Sequence, residues 1–205
     1  FSWFEKELKG LKESGRLKIL AKGPSSPKIS MDLKGLPTVG PKDATFTLIE
    51  ASDYLCPHCQ KVHKEVKNVL EKYKDKLKFV QVNYALRPNQ DSGTYIRGAH
   101  CAQKQSEGLF WKYHHLTFER LASPETKDAK ESAFNTAMKL AKEVGVDEGK
   151  FKTCLTSEDS KTAILANNDR LSKVGVHSTP TFFLNNKRVV IGPEGLEKAL
   201  EKLIQ

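Results

Sequence analysis

Two hydrophobic rhythms alternate along this chain, and the points where one gives way to the other mark its predicted elements. Residues 1–22 carry Phe4, Leu8 and Leu11 at helical spacing, with Trp3 beside them, on an otherwise charged segment. That is one apolar stripe of a helix, weakened by Gly10 and Gly15. The run Gly23-Pro24-Ser25-Ser26-Pro27 breaks the pattern and reads as a linker. A strand is predicted over 29–33, turn signals follow at Pro37, Gly40 and Pro41, and a second strand covers 45–51. Over 56–73 the helical period returns, with Cys59, Val62, Val66, Val69, Leu70 and Tyr73 on one face, and 77–84 alternates again. Strand, helix and strand in that order make a βαβ unit. From 92 to 174 the pattern is helical, including 110–121, 129–144 and 163–174. Strand signals come back at 181–184 and 188–191 around an Asn185-Asn186 hairpin turn. A last helix after Pro193 carries Leu196, Leu200 and Leu203.

These elements divide the chain. Residues 41–86 plus 172–205 join a βαβ half to a ββα half in one compact α/β module, and 87–171 form a helical insertion that caps it. Residues 23–40 supply a linker and the first strand, and 1–22 stand apart as a helical extension. A chain of 205 residues is long enough to bury a sizeable core, which excludes global disorder. No run approaches the ~18 consecutive apolar residues of a membrane helix, so direct membrane insertion is not expected. Residues 1–22 are too charged for a secretory signal, although a mature secreted chain reads the same once its leader is removed. The balance of 34 basic against 25 acidic residues gives +9. The lysines alternate with glutamates and no block of five like charges appears, which reads as a solvated surface and not a nucleic-acid site.

The cysteines change the picture. Four are present: Cys56 and Cys59 close together, Cys101 and Cys154 far apart. Thiol–disulfide exchange needs a thiolate nucleophile and a second thiol that resolves the mixed disulfide, and a Cys-x-x-Cys at a helix start supplies both. Cys56 follows the 45–51 strand by a short loop, where free backbone N–H groups and the helix dipole stabilise a negative sulfur. Pro57 suits the first helical turn. His58 adds a donor, and when protonated a charge, that should lower the Cys56 pKa further; Cys59, one turn in, should be more buried. Half of a zinc site would need a second Cys-x-x-Cys, which is missing. Covalent haem attachment needs His where Gln60 stands. An inert bridge closing two intervening residues does little for stability. A non-catalytic metal-binding module using Cys56, His58 and Cys59 is the alternative from another class, and a cytosolic thioredoxin-like reductase a third. The thiol pair is itself the redox group, so no cofactor is called for.

Glu50-Ala51-Ser52-Asp53-Tyr54-Leu55-Cys56-Pro57-His58-Cys59, with Val176-His177-Ser178-Thr179-Pro180-Thr181-Phe182-Phe183-Leu184-Asn185 far downstream, resembles the DsbA-like thiol:disulfide oxidoreductases of the thioredoxin superfamily. The resemblance covers 28–205 and implies a thioredoxin fold interrupted by a helical domain. It implies that Glu50 is a buried acid relaying protons to the resolving Cys59, with a strand-end surface glutamate as the plainer reading. It implies that Pro180 is a cis-proline facing the thiols, where Thr179 and Pro180 meet an extended substrate segment. Threonine at 179 resembles the isomerase-capable members, since the simple oxidases usually carry valine. Cys101 and Cys154 match cysteines that pair as a structural disulfide, against two buried free thiols. His100, His114 and His115 fit helix packing or the surface and show no ligand pattern; His177 either flanks the site or lies on a solvated loop. The resemblance further implies a periplasmic oxidase with isomerase capacity, acting on secreted or periplasmic client proteins. A membrane redox partner of DsbB or DsbD type would reset it, and 1–22 would pair two copies into a homodimer.

Overall fold

The computed structural model describes residues 2–17, 27–123, 131–192 and 195–204. The elements run α1 (Ser2–Glu13), β1 (Thr38–Val39), β2 (Phe46–Ser52), α2 (Pro57–Lys72), β3 (Leu77–Asn83), α3 (Asp91–Gln105), α4 (Glu107–Ala122), α5 (Ala133–Val144), α6 (Glu148–Thr156), α7 (Glu158–Lys173), β4 (Thr181–Leu184), β5 (Lys187–Val189) and α8 (Leu196–Ile204). The fold is α/β, with α3 to α7 inserted between β3 and β4. One five-stranded sheet has the order β1-β3-β2-β4-β5. β2 and β3 are parallel, the pairing that a helical crossover permits, and α2 is that crossover. The other three pairings are antiparallel. Asn185 and Asn186, at φ 47° and 67°, turn the β4–β5 hairpin in the left-handed region that asparagine tolerates.

Alternation along β2 sorts its side chains between the two faces. Leu48 packs with Val62, Val66 and Val69 of α2 and with Leu196 and Leu200 of α8. Ile49 and Ala51 look the other way, with Val80, Val82, Leu171 and Phe183. A third cluster fills the inserted unit around Ile96, Phe110, Tyr113, Phe118, Leu140 and Phe151, and it reaches Tyr54, Cys56 and Cys59. The thiol pair therefore sits where the inserted unit meets the sheet.

Two expectations need correction. The strand placed at 29–33 is reduced to a single bridge, Lys28 to Lys187, and the first full strand is Thr38–Val39. Ile29, Met31 and Leu33 lie half-buried over the face that carries Ile49 and Val82, so their alternation serves as a cover and not as a ladder. In α8 the buried positions are Leu196, Ala199, Leu200 and Ile204, while Leu203 is 53% exposed. The linker assigned to 23–27 lies outside the described residues except for Pro27, as do 18–22 of the N-terminal segment and the start of the 129–144 helix. α1 leaves its aromatic residues uncovered: Trp3 is 72% exposed and Phe4 58%.

Candidate active site

Cys56 is the N-cap of α2, with φ −75° and ψ 118°, and Pro57 opens the helix. Its own N–H donates to the Asp53 carbonyl at 3.1 Å, and the Gln60 side-chain amide donates to the Tyr54 carbonyl at 2.8 Å. Asp53 ties the loop together. Its carboxylate accepts from the N–H of Leu55 and Leu86, both at 2.8 Å, and from the Ser92 hydroxyl at 2.5 Å. This buried residue stands in the sequence motif with no role assigned, because two of its three partners come from loop and helix positions 33 and 39 residues away.

Both thiols are reduced. Cys59 is fully buried; Cys56 is 6% exposed and borders an open cleft lined in part by Leu55, Pro57, Leu86, Arg87 and Gln90. The Cys56 thiol donates to the Thr179 carbonyl at 3.4 Å. Thr179-Pro180 is a cis peptide, and the contact between Cys56 and the Thr179 carbonyl sets the loop before β4 against the start of α2.

The electrostatics of the pair are lopsided. Hydrogen bonding from the Cys59 thiol is the largest cause that lowers the Cys56 pKa from 9.0 to about 5, against desolvation. The Thr179 hydroxyl and the backbone N–H groups of Cys59 and His58 push the same way. The Thr179 Oγ1 has no partner while Cys56 is a thiol, which leaves it free for the thiolate. Burial raises the Cys59 pKa far above the ordinary thiol range, with the Cys56 hydrogen bond adding to it. His58 is exposed, and its contribution to Cys56 runs through its backbone N–H. Glu50 is 1% exposed, on the same face of β2 as Leu48. Desolvation raises its pKa from 4.5 to about 8. The Ser52 hydroxyl opposes this more weakly, and both carboxylate oxygens are buried without a hydrogen-bond partner. The Glu50 charge acts on Cys59.

The family model described as Thioredoxin matches residues 33–202. The chain belongs to the thioredoxin family. Alpha-DsbA1 from Wolbachia pipientis shares its fold, with a TM-score of 0.67 at 18% identity over 85% of this chain and 91% of that one. The oxidised form of BdbD from Bacillus subtilis superimposes with a TM-score of 0.73 at 23% identity, over 88% of this chain and 97% of that one. Disulfide bond formation protein D of Bacillus subtilis (strain 168) is 24% identical over 160 residues, 76% of this chain and 70% of that protein. The Na(+)/H(+) antiporter NhaA 3 of Salinispora tropica is 27% identical over 153 residues, 73% of this chain but only 21% of the antiporter.

The other candidates fall elsewhere. Cys101 of α3 and Cys154 of α6 form a disulfide across the inserted unit. Cys56, His58 and Cys59 do not converge as a three-ligand group; among the described residues that property belongs to His63, His114 and His115. The spacing of these histidines carries no motif, because His63 lies on α2 and the other two on α4.

Proposed function

We propose that the chain forms and shuffles disulfides in secreted proteins, outside the cytoplasm, through Cys56 and Cys59. In the oxidised enzyme a client thiolate attacks the Cys56 sulfur, and the Cys59 sulfur leaves with the bond's electron pair. Glu50, protonated up to about pH 8, is the acid that gives Cys59 its proton. The client's second thiolate then attacks its own sulfur in the mixed disulfide and expels the Cys56 thiolate. Two electrons have passed from client to enzyme, and a membrane redox partner of DsbB or DsbD type takes them onward. In shuffling, reduced Cys56 attacks a mispaired client bond and the same two thiols end unchanged. Thr179 and Pro180 offer backbone to an extended client segment beside the Cys56 sulfur.

The asymmetry of the pair carries this reading. A thiolate favoured at Cys56 is both a good attacking group and a good leaving group, which makes the disulfide oxidising. The Cys101–Cys154 bridge supports an oxidising compartment, where such bonds persist. No helix among the described residues is long and apolar enough to cross a membrane, so the periplasmic placement rests on the family and the bridge. Isomerase capacity and pairing through residues 1–22 rest on Thr179 and on the uncovered stripe of α1.

The variants test the assignment directly. With a reduced client, Cys59→Ser should accumulate mixed disulfides on non-reducing gels and Cys56→Ser should accumulate none. Equal trapping by the two contradicts this division of roles.

A further inference from the structure

Behind the thiols, three imidazoles meet where the active-site helix crosses the inserted unit. His63 stands four residues after Cys59 on α2, so it follows Cys59 down one side of that helix. His114 and His115 come from α4. The ring centroids form a near-equilateral triangle, 5.4 Å from His63 to His114 and 5.3 Å for each of the other two pairs. Each ring offers a nitrogen within 4.8 Å of the other two. His63 Nε2 and His115 Nδ1 are 3.3 Å apart. Two nitrogens bound tetrahedrally at about 2.0–2.1 Å from one ion would lie about 3.3–3.4 Å apart, so one edge of the site already has its bound length.

Packing accounts for part of this. His63 stacks on Phe118 at 4.5 Å and His115 lies over Trp111 at 6.0 Å. Packing does not account for the nitrogens. His63 is 5% exposed and its Nδ1 has no hydrogen-bond partner, so Nε2, turned toward the other two rings, is the nitrogen through which the side chain is held. His114 is 1% exposed, and its Nδ1 shares a hydrogen bond with the Tyr54 hydroxyl at 3.1 Å, which leaves Nε2 to its neighbours. A buried imidazole held from behind by a side-chain partner is the arrangement found around bound metal ions.

We propose that His63, His114 and His115 bind one borderline divalent transition-metal ion, of the class of Zn²⁺, and that the ion braces α2 against α4. Imidazole nitrogens select this class over calcium or magnesium, which take oxygen donors. Binding makes three nitrogen–metal bonds and breaks the hydrogen bond between His63 and His115. The proton of that bond moves to the other nitrogen of its own ring, and nothing is oxidised or reduced. His115 is half-buried, so the group opens to solvent on its side. The Lys67–Glu119 pair lies there, 2.9 Å apart, with the Glu119 charge within reach of both His63 and His115. The fourth position falls to water or to that carboxylate. Tyr54 is a positioning residue that fixes the His114 ring.

Isothermal titration of Zn²⁺ into the full chain, with Cys56 and Cys59 oxidised so that no thiolate competes, tests the site. One ion per chain is expected, together with a higher melting temperature. His63→Gln and His115→Gln should each weaken binding at least tenfold and abolish the thermal shift. Tyr54→Phe should weaken it by about tenfold through loss of the positioning bond. Co²⁺ should give the visible absorption of a tetrahedral nitrogen site in the wild type and not in His115→Gln. If His63→Gln loses its circular dichroism, His115→Gln decides, since its ring is only half-buried. Absence of saturable binding, or unchanged affinity in His115→Gln, overturns the proposal.

Discussion

A thiol that is only 6% exposed would, on burial alone, hold its proton more tightly than a free one. Cys56 does the reverse because donors converge on its sulfur: the Cys59 thiol first, then the Thr179 hydroxyl and two backbone N–H groups. The sequence showed the helix-start donors. It did not show Thr179 as a donor, since that residue stands 123 positions downstream, nor single out the backbone N–H of His58 as one of the groups that act on the sulfur. The consequence for pH follows from linkage. With the native pKa about 5 and the ordinary value 9.0, the folded reduced chain binds fewer protons than the unfolded one between those limits. Its stability relative to the oxidised form should therefore be lost as pH falls from 9 through 5, with a slope of at most ~1.4 kcal/mol per pH unit, and should fall again above 9, where the buried Cys59 thiol keeps a proton that the unfolded chain gives up. Glu50, raised to about 8, runs the opposite way between 4.5 and 8, and the comparison made in a Glu50→Gln background removes that contribution. Urea unfolding of reduced and oxidised protein across this range checks it. The difference should shrink in Thr179→Val, whose thiolate titration should move up by about one unit. A difference that stays flat with pH contradicts the assignment of the low pKa to Cys56.

Among the elements, those with long periodic stretches were legible and short or composite ones were not. Sixteen residues of α2 and nine of α8 announce themselves through apolar spacing. Two residues of β1 cannot, and 29–33 misleads because a cover strand and a paired strand share one alternation. The histidine triangle was illegible for a related reason: its members converge only after α2 and α4 pack, and a single helix carries no more than two of them. The Cys101–Cys154 bridge lies between these cases, two cysteines whose partner is fixed by the packing of α3 against α6. It closes 53 residues of the inserted unit. On the chain-entropy model such a loop contributes about 4 kcal/mol. Replacing both cysteines with serine should lower the melting temperature by roughly 10 °C in a chain of this size. The Cys56 titration should not move, because neither cysteine acts on that thiol. An unchanged melting temperature would mean that the inserted unit holds its loop closed without the bridge.

For the whole molecule the contrast is between a catalytic body whose large apolar side chains are mostly buried and an N-terminal helix whose aromatics are not. Trp3 at 72% and Phe4 at 58% exposure lie on the stripe that also carries Leu8 and Leu11, both half-buried. A twelve-residue helix is marginal alone, so a partner surface both stabilises it and covers the stripe. Two copies burying Trp3 and Phe4 against each other gain at most about 6–12 kcal/mol, at ~1.5–3 per side chain. That is of the order of the ~4–15 kcal/mol that association costs, so the expected dimer is concentration-dependent and not obligate. Two Cys56 sites carried on such an arm can hold one mispaired client through successive exchanges, which is what shuffling requires and simple oxidation does not. Light scattering should therefore show a mass that rises with concentration toward twice the chain's 23.0 kDa. Deleting residues 1–22 should return a monomer that keeps its oxidase activity and loses its isomerase activity. Trp3→Glu should do the same without shortening the chain. A full-length protein that scatters as a monomer at tens of micromolar removes the arm from the mechanism and leaves Thr179 as the one remaining ground for shuffling.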